Sequence, residues 1–139
     1  MGILNLNWVA IFAAAIAGML IGAAWYSPLL FGKAWLKALG KTSEDLGSRG
    51  LAIAGAAVSS CVSAMGLAVV LRIVGIEILH SGPGGAFMGA FLGLTLVATA
   101  MLSDNLFCGW GQRLFWIQAG YRVTYLVAMG AIIGGWPNG

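Results

Sequence analysis

The polar residues best placed to do chemistry in this chain lie around one arginine, Arg122. Gln118, Arg122 and Tyr125 are spaced i, i+4 and i+7, which puts them on one face of an α-helix, and Tyr121 lies beside that face. A guanidinium only donates hydrogen bonds, so Arg122 needs acceptors nearby. The first candidate is Asp104, which closes the preceding apolar stretch.

Asp104, which is followed by Asn105, lies about 10 Å nearer the cytoplasmic surface of the membrane than Arg122, by residue counting. Arg113 competes for the same carboxylate and is closer to it in depth. Two interpretations stay open. These side chains form a satisfied network that locks two helices together, or they line a polar pocket or path for a small solute, a proton or a lipid headgroup.

Other reactive residue types form no recognisable constellation. Glu77 and His80 are spaced i and i+3, but two possible ligands do not make a metal site. Cys61 lies in the middle of an apolar stretch and Cys108 just after the end of another, so we do not expect the two thiols to meet. Phosphate-binding loops, nucleophile elbows and dinucleotide fingerprints are missing from the sequence. We therefore predict no catalytic residues, no metal, no cofactor and no enzyme activity.

The composition indicates what surrounds the protein. Of the 139 residues, 60% are hydrophobic and 8% are charged, whereas a soluble domain carries about 25% charged residues. Eleven charged side chains are too few to cover the surface of a soluble domain of this size. We therefore expect most of the surface to face lipid. In a membrane protein, the excess of basic residues behind the net charge of +3 indicates how the chain is oriented in the membrane, and it does not predict a nucleic-acid partner.

Four apolar stretches can each cross a hydrocarbon core of about 30 Å, because about 20 helical residues at 1.5 Å each cover that distance. They cover about 8–26, 51–74, 84–107 and 114–136. We predict an all-α fold: a single integral membrane domain, 1–139, that is a bundle of four transmembrane helices with a short interfacial helix after the first.

The depth of Arg122 follows from these stretches. If its charge lay at the membrane surface, only the fourteen residues 123–136 would remain to cross, covering about 21 Å. Arg122 therefore lies below the surface. A charge there costs at least about 2.5 kcal/mol and usually faces the bundle interior or a water-filled cavity.

Basic residues predict the orientation. The first connection carries Lys33, Lys37, Lys41 and Arg49, and the third carries Arg113. The positive-inside rule places both connections in the cytoplasm and both termini outside the cell (inner) membrane. Dual topology is the alternative.

The first connection has the pattern of an amphipathic helix lying on the membrane, over about 28–41. An apolar and a basic series each recur at every fourth residue and fall on opposite faces. The apolar series is Phe31, Trp35 and Leu39, and the basic series is Lys33, Lys37 and Lys41. We expect the aromatics at the acyl boundary and the lysines on anionic headgroups, with Trp25 and Tyr26 in the aromatic belt. A cytoplasmic helix packed on a partner is the alternative.

Small residues recur at four-residue spacing in every stretch, which lets membrane helices approach closely. The glycines expected at helix contacts are Gly18, Gly22, Gly85, Gly89, Gly93, Gly130 and Gly134, and the second stretch adds Gly55, Ser59 and Ser63. These rows exceed what four helices need, which indicates a homo-oligomer or a larger membrane complex.

The run Trp25-Tyr26-Ser27-Pro28-Leu29-Leu30-Phe31-Gly32-Lys33-Ala34-Trp35 resembles the signature of a bacterial membrane family known as domain of unknown function 1761. The pair Gly120-Tyr121 matches a pair on the last helix of that family. The resemblance covers nearly the whole chain and implies a four-helix membrane protein of this size. It implies no activity.

Three functions are compatible with these features. We favour a structural or accessory subunit, because the chain is small, rich in glycine faces and without catalytic motifs. The second is an oligomeric channel or carrier for a solute, proton or ion, built around Arg122. The third is a lipid-binding protein or membrane enzyme that uses Asp104 and the lysine helix. A carrier is expected to contain broken helices, and the sequence has no proline inside a stretch.

Overall fold

The computed structural model describes residues 5–137, which are all-α, as the sequence predicts. The α-helices of this part are α1 (Trp8–Trp25), α2 (Gly32–Leu39), α3 (Arg49–Val74), α4 (Gly82–Leu92), α5 (Thr99–Cys108) and α6 (Gln112–Gly135). A π-helical segment, Gly93–Ala98, joins α4 to α5. These three pieces form one long helix, Gly82–Cys108.

Local sequence explains where the helices begin and end. The hydroxyl of Ser48 accepts a hydrogen bond from the Leu51 N–H at 3.3 Å and begins α3, as a side-chain oxygen does at many helix starts. Gly40 ends α2 and Gly109 ends α5, with φ of 70° and 67°. Only glycine adopts that left-handed conformation at little cost.

Three helices are long and apolar enough to cross a membrane: Trp8–Trp25, Arg49–Val74 and Gly82–Cys108. The chain is therefore compatible with a membrane protein. The fourth long helix, α6, carries more polar residues and packs against α1, α3 and α4 at the centre of the bundle.

The distribution of side-chain size supports a lipid surround. Ala10 and Ala14 are fully buried in α1, while Phe12 and Ile16 on the same helix are 57% and 60% exposed. In water this arrangement would leave large apolar surfaces uncovered. Along α1, alanines therefore face the interior, whereas large apolar side chains such as Phe12 and Ile16 point out of the bundle.

Close backbone contacts between α4 and α6 account for the glycine rows. A Cβ on Gly85 would overlap the carbonyl of Gly130, and one on Gly89 would overlap the carbonyl of Leu126. All seven glycines expected at helix contacts lie against another element of this same chain, namely Gly18, Gly22, Gly85, Gly89, Gly93, Gly130 and Gly134. Those rows therefore do not by themselves require a second chain. In α3, by contrast, Gly55 faces open space.

Two elements differ from the sequence prediction. The helix expected over about 28–41 is only eight residues long, Gly32–Leu39. Pro28 lies in a turn before it, because the Ser27 carbonyl accepts hydrogen bonds from the Leu30 and Gly32 N–H groups at 3.1 and 3.0 Å. The third stretch, predicted as one transmembrane helix, contains the π-helical segment, which propensity and hydropathy do not reveal.

Candidate functional site

The end of α1 packs on the first half of α6. The indole Nε1 of Trp25 donates a hydrogen bond of 2.9 Å to the carbonyl of Ile117. A Cβ on Gly120 would lie 3.0 Å from the Trp25 ring, so glycine leaves room for the indole. The two segments that resemble the family signature, 25–35 and 120–121, therefore meet in space.

An aromatic cluster surrounds this junction, formed by Trp25, Tyr26, Trp35, Tyr121 and Tyr125. Its ring centroids are 5.3 Å apart for Tyr26–Tyr121, 4.9 Å for Tyr121–Tyr125 and 5.0 Å for Tyr26–Trp35, all edge to face. Such pairs contribute about 0.5–1.5 kcal/mol beyond burial. The hydroxyl of Tyr121 also donates to the Gly18 carbonyl at 3.3 Å, so the cluster fixes α6 against α1.

Arg122 lies at the edge of the aromatic cluster. Its Nη1 donates to the carbonyl of Gln118 at 3.1 Å, and its Cζ is 5.8 Å from the centroid of Tyr121. The guanidinium also interacts with the hydroxyl of Tyr26. The side chain therefore turns back toward the start of α6. Within residues 5–137 it makes no ion pair with Asp104, the partner that the sequence suggested.

Arg122 and Asp104 nevertheless face the same space, a cavity of about 210 Å³ between α5 and α6. We call it the polar cavity. It is lined by Met101, Asp104, Asn105, Trp110, Phe115, Gln118 and Arg122. A guanidinium, a carboxylate and an amide thus border one small volume, which suits a ligand that carries groups of both charges.

The other predicted polar residues divide between the polar cavity and other places in the fold. Asn105 is buried and donates from Nδ2 to the Gly111 carbonyl at 3.0 Å, closing the turn between α5 and α6. Arg113 is exposed and does not line the polar cavity. Tyr125 belongs to the aromatic cluster. The structure therefore brings Asp104, Asn105, Gln118 and Arg122 together at the polar cavity, but not the whole predicted set.

A second cavity, of about 740 Å³, lies between α2 and the start of α3. We call it the large cavity. Its lining is mainly apolar and also includes Tyr26, Lys33 and Arg49, whereas Lys37 and Lys41 do not contribute. Phe31, predicted to lie at the acyl boundary, packs on Trp25 at 4.8 Å between ring centroids and is also exposed. Sequence reasoning missed this cavity, because nothing in the pattern indicates that residues 46–52 fold back beside 26–36.

Among residues 5–137, no three side chains of His, Cys, Asp or Glu lie together as ligands for a metal ion. Arg72, Glu77 and His80 lie at the opposite end of α3 from the large cavity.

The described residues are all-α and include three helices long and apolar enough to cross a membrane, which is typical of a small helical membrane protein. A family profile described as "Protein of unknown function (DUF1761)" matches residues 9–134. The chain therefore belongs to that family, and the resemblance seen in its sequence is confirmed. No curated protein and no solved structure matches the chain.

Proposed function

We propose that this chain crosses the membrane four times, with α6 as the fourth span. At 1.5 Å per residue, the 24 residues of α6 extend about 36 Å, longer than a hydrocarbon core of about 30 Å. Its polar residues are tolerated because α1, α3 and α4 surround it. By the positive-inside rule the connections that follow α1 and α5 are cytoplasmic, and both termini are outside the cell membrane.

Within that frame, we propose that the protein binds a small ligand of mixed charge in the polar cavity. The observation that carries this proposal is that Arg122 and Asp104 line one cavity without pairing with each other in the described part of the chain. Arg122 uses one of its five donors on the Gln118 carbonyl. The guanidinium also interacts with the Tyr26 hydroxyl, and its remaining donors can bind an anionic group, while Asp104 binds a cationic one.

The size and position of the polar cavity favour binding over conduction. Its volume of about 210 Å³ is smaller than the pockets of about 300–1,000 Å³ that hold drug-sized ligands, so its ligand must be smaller than those. Its lining comes from α5, α6 and their connection, with the aromatic cluster behind Arg122. A small zwitterion, or a headgroup entering from the cytoplasmic surface, fits this geometry better than a path through the bilayer.

Binding of phosphoethanolamine to the purified protein tests the proposal, because this probe carries a phosphate and an ammonium. Arg122→Gln and Asp104→Asn should each weaken binding at least about tenfold, since a charged hydrogen bond contributes about 1.5–3 kcal/mol. Arg113→Gln is the matched control: it removes the same charge outside the cavity and should bind like the parent. Equal affinity in the parent and in Arg122→Gln, with both folded by circular dichroism, would refute the proposal.

A second candidate is an accessory subunit of a homo-oligomer or larger complex. It is favoured by the outer face of α3, where Gly55 has open space around it and Ser59 is exposed. Gly55→Leu should disrupt an assembly that uses this face. The measurement is the molar mass of the detergent-solubilised protein by light scattering. A monomer in both the parent and the variant would contradict this function.

A further inference from the structure

The large cavity has the chemistry of an amphiphile site. Its walls are apolar on both sides, with Trp35 and Leu36 of α2 facing Leu51 and Ala52 of α3. Its volume of about 740 Å³ lies within the range of ligand pockets, about 300–1,000 Å³. An apolar space of this size next to a bilayer is suited to a hydrocarbon chain, since water gains few hydrogen bonds there.

Positive charge borders this apolar space. Among the residues that the structure describes, the charged ones that line the large cavity are Lys33 and Arg49, and both are exposed. The two acids of the connection between α2 and α3, Glu44 and Asp45, do not line this cavity. The Asp45 carboxylate accepts hydrogen bonds from the N–H and hydroxyl of Thr42 at 3.0 and 2.9 Å.

We propose that the large cavity binds one anionic diacyl phospholipid. Lys33 and Arg49 hold its phosphate, and an acyl chain lies between α2 and the first turns of α3. A membrane lipid fits better than a soluble anion, because the two cations border an apolar lining at the start of α3, a proposed membrane-spanning helix. This inference is independent of the proposed function, because the lining of the large cavity contains neither Arg122 nor Asp104.

Native mass spectrometry of the detergent-purified protein with dioleoyl phosphatidylglycerol or dioleoyl phosphatidylcholine tests this proposal. The parent should retain phosphatidylglycerol at least about fivefold better. Lys33→Gln/Arg49→Gln should lose that preference, whereas Lys37→Gln/Lys41→Gln should keep it within about twofold. The two double variants change the net charge equally. An equal loss in both would show attraction to the whole basic surface and would overturn a specific site.

A second pair of variants tests the cavity itself without changing charge. Ala52→Trp fills the space between α2 and α3 and should reduce phosphatidylglycerol binding at least about fivefold. Ala54→Trp, on an exposed part of α3 outside the lining, should bind like the parent. Full binding by Ala52→Trp would overturn the proposal. So would displacement of the lipid by millimolar glycerol 3-phosphate, because the site would then recognise the phosphate alone.

Discussion

Trp25 and Ile117, 92 residues apart, are joined by a hydrogen bond of 2.9 Å from the indole Nε1 to a main-chain carbonyl. The bond ties the C-terminal end of α1 to the first half of α6. It holds Tyr26 against Tyr121 and so places the Arg122 side chain beside the polar cavity. The turn motif is thereby part of the site, although it lies far from Arg122 in the sequence.

The indole N–H groups of Trp25 and Trp35 should contribute differently to the free energy of unfolding. Trp35 Nε1 is buried and has no hydrogen-bond partner among the described residues, whereas Trp25 Nε1 has one. Both Trp→Phe changes remove similar apolar area, so Trp25→Phe should cost about 1–2 kcal/mol more than Trp35→Phe. Thermal unfolding in detergent, followed by circular dichroism, measures the difference. Equal costs would contradict the role given to the Trp25 bond.

Gly85→Ala should destabilise the bundle. The added Cβ would overlap the Gly130 carbonyl, and main chain cannot move aside without separating α4 from α6. The expected cost is about 1–3 kcal/mol. Gly55→Ala is the control, because its Cβ would meet open space and alanine favours helix by about 0.5–1 kcal/mol. Denaturant unfolding in mixed micelles should therefore move in opposite directions for the two variants.

Ser60→Ala should weaken the contact between α3 and α1. The Ser60 hydroxyl is buried and donates to the Ala15 carbonyl at 2.7 Å. Hydrogen bonds between membrane helices contribute about 0.6 kcal/mol on average and up to about 1.7. The same unfolding measurement should give a loss in that range for Ser60→Ala. Ser59→Ala, at an exposed position of the same helix, should be neutral or slightly stabilising, because alanine favours helix more than serine does. A similar loss there would contradict the role given to the Ser60 hydrogen bond.

The Asp45 carboxyl should titrate below its ordinary pKa. Its hydrogen bonds from the N–H and hydroxyl of Thr42 stabilise the ionised form and lower the pKa. Because the folded pKa is below the unfolded one, the loop gains stability above the unfolded pKa and loses it as pH falls through the folded pKa. Carbon-13 NMR of Asp45 should show the lowered pKa, and Thr42→Val should raise it. No change in Thr42→Val would contradict the capping role of the hydroxyl.

Cys108 offers a test of the proposed orientation. It is exposed at the end of α5, whereas Cys61 lies midway along the proposed second span. A membrane-impermeant maleimide should label Cys108 in inside-out vesicles and not in right-side-out ones, and Cys108→Ser should abolish the signal. Labelling confined to right-side-out vesicles would reverse the topology. Equal labelling of both preparations would indicate dual topology.

Much of the fold could be read from local patterns. Long apolar runs predict the helices, because a helix in lipid must be about 20 apolar residues long whatever its neighbours. The run 25–35 and the pair Gly120-Tyr121 indicated the family, whose profile matches residues 9–134. The stripe at Gln118 and Arg122 also pointed to the polar cavity, because helical spacing alone puts these two side chains on one face.

The features that the sequence did not predict depend on which helices contact one another. Helical spacing shows which residues share a face of a helix. It does not show which other helix that face contacts, because that contact depends on the packing of the whole bundle. The tertiary structure alone therefore decided that Arg122 bonds to its own helix and not to Asp104. It also decided that the glycine rows of α4 and α6 pack on each other, and that α2 and α3 enclose a large cavity.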